Sequence, residues 1–548
     1  MPKGVTKSKF KEISKYYDNE IFIGAGRRIR NIARHADTLP PIERAKTISD
    51  IFSTFRNPDK ETVLTPWRTV NKHMGDTLGG WNYFDERYIV SLEDPRFINN
   101  GDVTHELLIN KDSKILEINS KTGLYPLYVT ISLFKNKCLN VDSKKFSDHI
   151  AREIWNQTVE DNIFVVCRTP MAKTITKRTL IGYSDVDINV IALEKIIEDL
   201  NDEQYEKVND IINNPKTWNK DGDKMNFDAI IGNPPYQNST GGGQAQGTPL
   251  YDKFVLSAMK LNPKYISMIM PSRWFSGGFS ALDKFRSEFI KDNHIVRMCD
   301  YPSALDCFSN VEIKGGVCYF LYDSRYNGKC NFRTYHNNEL VSEMDRFLLE
   351  EGCKTIIRDN NSIEILKKVL SKKYESFSNI VSTLWPYSTN STFTSFSKNK
   401  KKPDDYIAYI LKDKGWVSKD DIKKNHNIAN KWKLFLPRNV GKGDSKSDMI
   451  KPILAEPNSV CSGTYIVCGP FDTEEEAKNV MSYINTKFFH FLLSLKKISQ
   501  ENTNKCYEFI PKLNFNQHYN DELLFEMFEL TDKEIEYINT KVRDDIGK

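Results

Sequence analysis

The stretch Phe227-Asp228-Ala229-Ile230-Ile231-Gly232-Asn233-Pro234-Pro235-Tyr236 gathers side chains that suit one kind of chemistry. An amino group conjugated with an aromatic ring is a poor nucleophile, because its lone pair is delocalised into the ring. A carboxamide oxygen and a backbone carbonyl that accept its two N–H hydrogens push the nitrogen towards sp³ geometry. Asn233 supplies the first acceptor and Pro234 the second, on a backbone whose φ the proline ring locks. Tyr236 offers a flat face on which an unstacked base can lie. Each of these residues is also a common turn former, so a strand ended by a Pro-Pro turn is the purely local reading.

The elements around this stretch determine whether the chemistry can be positioned. Phe227 to Ile231 is an apolar, partly β-branched run with one acidic residue, which predicts a buried strand. Gly232 releases the backbone and the Pro-Pro pair stops the strand, so Asn233 falls at its carboxyl end, where open α/β sheets bind ligands. Upstream, Lys114 to Asn119 predicts a first core strand, Ser120-Lys121-Thr122-Gly123 a small-residue turn, and Tyr125 to Leu133 a helix. Strand, turn and helix in that order make a Rossmann-like cofactor turn. Further strands are predicted at Ile163 to Thr169, Ile188 to Leu193, Tyr265 to Met270 and, after a hairpin-like turn, Val317 to Tyr322. Helices are predicted after Pro170, over Pro249 to Leu261 and over Gly278 to Ile290, with a charged, loop-rich segment at 200–222. This alternation predicts an α/β fold with a doubly wound sheet. The glycine-rich run Gln237 to Gly247 is too flexible for a core connection; it reads as a lid or base-probing loop, or as disorder without a role.

The run ending in Asn233-Pro234-Pro235-Tyr236 resembles motif IV of the amino-group DNA methyltransferases, specifically the N6-adenine enzymes of restriction-modification systems that join methylation and target recognition in one chain. The resemblance extends from about Thr65 to Phe515. It implies a Rossmann-like methyltransferase domain that uses S-adenosylmethionine, followed by a mixed α+β target recognition domain, with double-stranded DNA as partner. Asn233, Pro234, Pro235 and Tyr236 are then the catalytic residues. Glu117 matches the acidic residue of the family's motif I and Gly123 its second glycine, while Lys121 stands where the first glycine is expected. The acid that binds the cofactor ribose would fall on Cys167 or Thr169, neither of them a carboxylate. Asp185 or Asp187 faces the adenine pocket or lies in a surface loop. Thr65-Pro66 matches the motif at the methionine end of the cofactor, although Thr as N-cap and Pro as first helical residue also explain the pair. The expected cofactor residues are thus Thr65, Glu117, Asn119, Gly123 and Asp228, and no metal is required.

Composition sets the frame. The chain has 548 residues, 39% of them hydrophobic, and a mean hydropathy of −0.53, which predicts a soluble protein of roughly two to four domains. No apolar run reaches the length of a membrane span and the amino terminus lacks the apolar core of a signal peptide, so a cytoplasmic location is expected. Ten scattered cysteines without metal-ligand spacing fit reduced thiols. The net charge of +5 permits a local nucleic-acid patch without demanding one.

Composition shifts divide the chain into a helical basic region at 1–60, a methyltransferase domain at 61–330, a DNA-binding domain at 331–515 and a helical tail at 516–548. In the third segment Lys398, Lys400, Lys401 and Lys402 cluster, and Lys431-Trp432-Lys433 and Arg438 to Gly443 interleave charge with aromatic and glycine residues. Lys431, Trp432, Arg438 and Lys442 are the expected DNA contacts, a solvated loop being the alternative. Arg27, Arg28, Arg30 and Arg34 touch phosphates or form a solvated helix face. A helix is predicted from Thr473 to about Leu495, and another after Thr531.

The expected activity is methyl transfer to adenine N6. The rivals are methylation of RNA or of a protein glutamine, a non-catalytic DNA-binding specificity subunit, and a single-chain restriction enzyme. Residues 1–60 are too short for a complete nuclease and no Walker-type phosphate loop occurs, so DNA cleavage is expected from a separate restriction subunit, if at all.

Overall fold

The computed structural model describes residues 7–14, 18–55, 63–142, 144, 146–237, 248–276, 280–308, 311, 313–390, 396–400, 402–410, 413–441, 450–497 and 500–543. The chain divides into two compact units, one of 1–274 with 279–341 and the other of 275–278 with 342–548.

In the first unit β1 (Gly80–Phe84) and β2 (Ser91–Ile98) form an antiparallel hairpin. The central sheet is built from β3 (Ile115–Ser120), β4 (Ile163–Cys167), β5 (Asn189–Ala192), β6 (Ala229–Gly232), β7 (Tyr265–Pro271), β8 (Ile295–Tyr301), β9 (Val317–Asp323), β10 (Cys330–His336) and β11 (Glu339–Arg346). Among the described residues it is nine-stranded, in the order β11-β10-β8-β9-β7-β6-β3-β4-β5. Strands β5, β4, β3, β6 and β7 pair in parallel. Strand β9 runs antiparallel to both β7 and β8, and β10 returns parallel to β8. This is the Rossmann-like α/β fold expected. All residues of β4, β6 and β7 are buried, the pattern of strands covered by helices on both faces. The helix Leu124–Cys138 is buried over most of its surface and lies at the centre of the hydrophobic core.

Three local expectations need correction. Strand β8 was not anticipated, because Arg297 and Asp300 interrupt its apolar run; Asp300 is buried and accepts a hydrogen bond from the Ser272 hydroxyl at 2.9 Å. Segment 200–222 is not mainly loop: helices Ile196–Asn201 and Tyr205–Asn213 and a short turn Pro215–Trp218 occupy it, anchored by buried Val208, Ile212 and Trp218. The strand–helix sheet does not end at 330, since β10 adds to it through regular pairing with β8.

The four-part division reduces to two units for a physical reason. Helix Pro41–Ser53 joins the core of the first unit through Ala45, and buried Arg44 donates to the carbonyls of Arg178, Thr179 and Leu180. The guanidinium thereby caps the carboxyl end of helix Pro170–Ile181, where last-turn carbonyls lack partners.

The second unit is mixed α+β. Among the described residues, strands β12 (Tyr406–Ile410), β13 (Asp413–Val417), β14 (Trp432–Pro437), β15 (Ile453–Ala455), β16 (Ser459–Cys461) and β17 (Tyr465–Phe471) form two three-stranded sheets, β13-β12-β16 and β15-β14-β17. The helix expected over 473–495 is two, Glu474–Ile484 and Lys487–Ser494. The break falls where Thr486 caps the second by accepting from the Phe489 N–H at 3.1 Å. The described part of the expected tail, residues 516–543, is not separate: Tyr519, Leu524, Phe528 and Ile538 share a core with Phe488 and Phe489. Among the described residues no helix is long and apolar enough to cross a membrane.

Candidate active site

The sheet order locates a crevice before any side chain is considered. From β3 the chain moves outward through β4 to β5, then returns to the other side of β3 as β6 and continues outward through β7. The helical connections therefore diverge between β3 and β6, and the carboxyl ends of these two strands flank the topological switch point at which open α/β sheets bind ligands. Glu117 pairs with Ile231 in the β3–β6 register, so Glu117 and Asn119 on one strand and Asn233 after the other stand at this edge.

Gly232 makes the approach possible. Its φ is +151°, and a Cβ there would meet the Ile118 carbonyl oxygen at 2.7 Å. No L side chain fits, so β6 reaches its last residue in close contact with β3. Asn233 follows, 4% exposed, with its backbone carbonyl accepting from Asn119 Nδ2 at 2.9 Å and its own Nδ2 donating to Thr65 Oγ1 at 2.9 Å. Its Oδ1 is buried and has no hydrogen-bond partner. Pro234 and Pro235 are buried, and Tyr236 is half-buried with its ring edge-on to Phe308 at 6.3 Å. The Tyr236 hydroxyl lies near enough to Asn233 to feel it, yet makes no hydrogen bond of normal geometry. Thus Asn233, Pro234, Pro235 and Tyr236 sit together at the crevice, with an acceptor oxygen left open. Gln237 pairs with Pro249 in a short antiparallel bridge at the base of the glycine-rich segment, whose residues 238–247 lie outside the described ones.

The expected cofactor residues separate into three groups. Glu117 is 4% exposed, and one of its carboxylate oxygens has no partner. Burial pushes its pKa up to about 8, against the opposing pull of a Ser120 hydrogen bond and the Lys121 charge. Asn119 and Thr65 are spent on Asn233. Asn119 takes a positive φ of 69° at a bulge in β3, a conformation Asn tolerates, and this turns its amide onto the Asn233 carbonyl. Thr65 caps no helix: the helix is Trp67–Thr77 with Pro66 at the cap position, which frees the Thr65 hydroxyl for Asn233. Asp228 is not part of the crevice. It precedes β6 at the opposite, amino edge of the sheet, where its carboxylate accepts from the Lys114 N–H at 2.9 Å and pairs with Lys264 at 3.3 Å.

Gly123 starts helix Leu124–Cys138 at φ +78°, and a Cβ there would meet Thr179 Cβ at 3.1 Å and Thr176 Cα at 3.2 Å. The glycine thus allows helix Pro170–Ile181 to pack against the turn. Gly123→Ala is expected to cost about 1–2 kcal/mol of stability from the left-handed conformation alone, read as a lower denaturant midpoint; an unchanged midpoint would show that the turn relaxes freely. Lys121, in place of a glycine, donates from Nζ to the Val63 carbonyl at 3.0 Å and so ties the turn to the segment carrying Thr65.

No carboxylate stands at the end of β4. Cys167 is buried against Thr176, and Thr169 caps helix Pro170–Ile181 by accepting from the Ala172 N–H at 3.1 Å. Asp185 and Asp187 are exposed and precede β5, on the amino side of the sheet.

In the second unit the expected DNA contacts carry other engagements. Lys431 pairs with Asp472 at 2.6 Å and is exposed. Trp432 is half-buried against the hydrophobic core. Lys433, its neighbour in the basic cluster, points inward: it is fully buried, donates to the carbonyls of Ala429, Lys431 and Glu456, and burial lowers its pKa to about 7. Arg438 pairs with Glu501 at 2.8 Å and its guanidinium lies 5.9 Å from the centroid of Trp385, an exposed tryptophan with φ +56° that sequence reasoning passed over. Lys398 pairs with Asp413 and Lys402 with Asp420, while Lys400 lies over the Trp416 ring. Lys401 and Lys442 lie outside the described residues.

Residues 161–308, which contain β4 to β8 and the turn from Asn233 to Tyr236, match the family model of the Eco57I restriction-modification methylase. An uncharacterized adenine-specific methylase from Mycoplasma pneumoniae is 40% identical over 112 residues, 20% of this chain and 26% of that protein. The chain thus spans about a quarter of the length of the curated relative it matches. Among solved structures, the ATP-dependent Type ISP restriction-modification enzyme LlaBIII bound to DNA is 10% identical, with a TM-score of 0.45 over 92% of this chain and 42% of that one. The type IIG restriction endonuclease BpuSI is 11% identical, with a TM-score of 0.36 over 89% of this chain and 63% of that one.

Proposed function

We propose that this chain transfers a methyl group from S-adenosylmethionine to the exocyclic N6 amine of adenine in duplex DNA, as the modification component of a restriction-modification system. The observation that carries the reading is the buried, unpartnered Oδ1 of Asn233 at the switch-point crevice, beside Tyr236. A buried acceptor without a partner costs about 1–3 kcal/mol. Its retention at the carboxyl end of a core strand makes sense if a donor from outside fills it. The match to a restriction-modification methylase model over 161–308 and the named specificity of the M. pneumoniae relative support adenine as the base.

The residues present fit the cofactor at one principal point. Glu117 offers a buried carboxylate oxygen without a partner on the β3 side of the same crevice, suited to the ammonium or hydroxyl donors of S-adenosylmethionine. Bound there, the cofactor supplies an electrophilic methyl group. The chain's own residues then act on the amine. Asn233 Oδ1 and the Pro234 carbonyl accept its two N–H hydrogens and localise its lone pair, Tyr236 supports the base by stacking, and Asn119 and Thr65 hold Asn233 in place. Adenine must leave the duplex to reach this edge. Reading of the duplex falls to the second unit, where Arg438 and Trp385 combine a cation with an exposed aromatic surface.

The test is incubation of the purified chain with unmethylated plasmid and tritium-labelled S-adenosylmethionine, followed by digestion to nucleosides. Label is expected in N6-methyladenine. Label in a cytosine derivative, or none with DNA but transfer to RNA or protein, would overturn the assignment. With magnesium added, the plasmid is expected to stay uncut, any restriction being supplied by a separate polypeptide; double-strand breaks at fixed positions would make the chain a single-chain restriction enzyme.

A further inference from the structure

Behind Asn233 runs a line of buried polar groups whose hydrogens can be counted. The Thr77 hydroxyl donates to the His73 backbone carbonyl at 2.7 Å, and a carbonyl can only accept. With its one hydrogen spent, Thr77 accepts from the Ser267 hydroxyl at 2.9 Å. Ser267, its hydrogen now also spent, must accept from His73 Nε2 at 2.8 Å. His73 is completely buried, and desolvation pushes its pKa down to about 3, so the ring is neutral and carries a single N–H. That hydrogen is on Nε2, so Nδ1 is an acceptor and takes the hydrogen of the Tyr125 hydroxyl at 2.8 Å. The Tyr125 oxygen is left as an acceptor, and the Thr65 hydroxyl lies close enough to interact with it, although outside normal hydrogen-bond geometry. Thr65 Oγ1 in turn can only accept from Asn233, at 2.9 Å, so the end of the amide that faces it must be the NH₂.

We propose that Thr77, Ser267, His73, Tyr125 and Thr65 form a proton-ordered chain that fixes the flip of the Asn233 amide, turning Oδ1 towards the crevice, with Thr65 as the positioning residue. The proposal rests on the reading of Asn233 as acceptor of the target amine. An amide has two ends of nearly equal size, and packing alone does not choose between them. Presented the wrong way, Asn233 would offer two donors to an amine that is itself a donor, and the acceptor would be lost. The chain removes this ambiguity by ending on a backbone carbonyl inside helix Trp67–Thr77, a group that cannot reverse its role. It also explains why a threonine at the place expected to border the cofactor has its hydroxyl turned to Asn233. The groups come from helix Trp67–Thr77, helix Leu124–Cys138, β7 and the segment before Pro66, so the ordering depends on the assembled core. The His73 ring is locked between its two hydrogen bonds and a stacked Tyr319 at 4.8 Å.

Two measurements on the full chain test this. In protein labelled with ¹⁵N at histidine, the His73 ring is expected as the neutral Nε2–H tautomer from pH 6 to 8. Its signal is identified by the shift of Nδ1 in Tyr125→Phe or, should that variant not fold, by its absence in His73→Gln. An Nδ1–H tautomer or an imidazolium at those pH values would overturn the chain's polarity. In steady-state methylation, Thr65→Val is expected to lower kcat by about 10–100-fold with KM for DNA and for S-adenosylmethionine changed less than threefold, and Thr65→Ser is expected to restore most of the rate. A raised KM for S-adenosylmethionine with unchanged kcat would make Thr65 a cofactor contact instead, and a serine variant as slow as the valine one would refute the hydroxyl's role. If the wild-type chain transfers no methyl group, the functional reading fails by itself, and the tautomer still decides the order of the hydrogens.

Discussion

Asn233→Ala is expected to abolish detectable methyl transfer while leaving binding of S-adenosylmethionine nearly intact. The side chain provides the one buried amide acceptor at the carboxyl end of β6, and its Oδ1 has no partner within the protein. An acceptor held in place beforehand, in a site from which water is excluded, does not have to reorganise when the amine charges up. Removal of one such group costs about 3–4 kcal/mol, or 10²–10³ in kcat. The effect should exceed that figure here, because Ala also removes the Nδ2 that satisfies Thr65 and slackens the ordering behind it. The cofactor should notice little, since Glu117 belongs to the neighbouring strand. Single-turnover methylation and calorimetry on the same preparation separate the two effects. Normal turnover by the alanine variant would remove Asn233 from the mechanism, and a matching loss of cofactor affinity would show that it contacts the cofactor rather than the base.

Glu117→Gln should change the pH dependence of stability and of cofactor binding together. With a folded-state pKa of about 8, the carboxyl group holds its proton more tightly in the folded than in the unfolded chain, where it titrates near 4.5. Between those values the folded state binds more protons than the unfolded one, so the slope of stability against pH is negative. The contribution of this group to stability is therefore fully present below its unfolded pKa, is lost as pH rises towards 8, and changes no further beyond, with a total loss on the order of a few kcal/mol. The glutamine variant lacks this slope and should melt several degrees above the wild-type chain at pH 8.5, with little difference at pH 5. Cofactor binding should run the opposite way. The ionised carboxylate is the form that attracts a cationic ligand, so wild-type affinity should rise from pH 6 to pH 8, whereas the variant should bind weakly and without that rise. Melting curves and calorimetry at three pH values are sufficient. The same stability slope in both proteins would place the proton elsewhere.

Much of the site was legible in the sequence because its signals are local. An apolar run, a glycine and two prolines within ten residues suffice to end a strand at Asn233, since each acts on its own backbone and needs no partner. The alternation of strands and helices through Val317 foretold the doubly wound sheet for the same reason: periodicity and turn chemistry are properties of neighbouring residues. The match at Glu117 and Gly123 falls within β3 and on a left-handed helix start.

What the tertiary structure alone decided depends on contacts between distant residues. Thr65 and Asn233 are 168 positions apart, and only the packing of helix Trp67–Thr77 against the sheet converts a plausible helix cap into the partner of the Asn233 amide. Asp228 directly precedes the motif's strand at its amino end, so the direction of β6 within the sheet, and not proximity in sequence, removes it from the crevice. Lys433 sits one residue from a half-buried tryptophan, and the pleat of β14 turns it inward to three carbonyls, a choice of face that depends on which side of the sheet is covered. Strand β8 carries Arg297 and Asp300, which only the folded core supplies with partners, so its polar residues masked it. The order of hydrogens from Thr77 to Asn233 lies furthest from the sequence. It is a property of five side chains from four elements, and no one of them reveals its donor or acceptor role until all are in place.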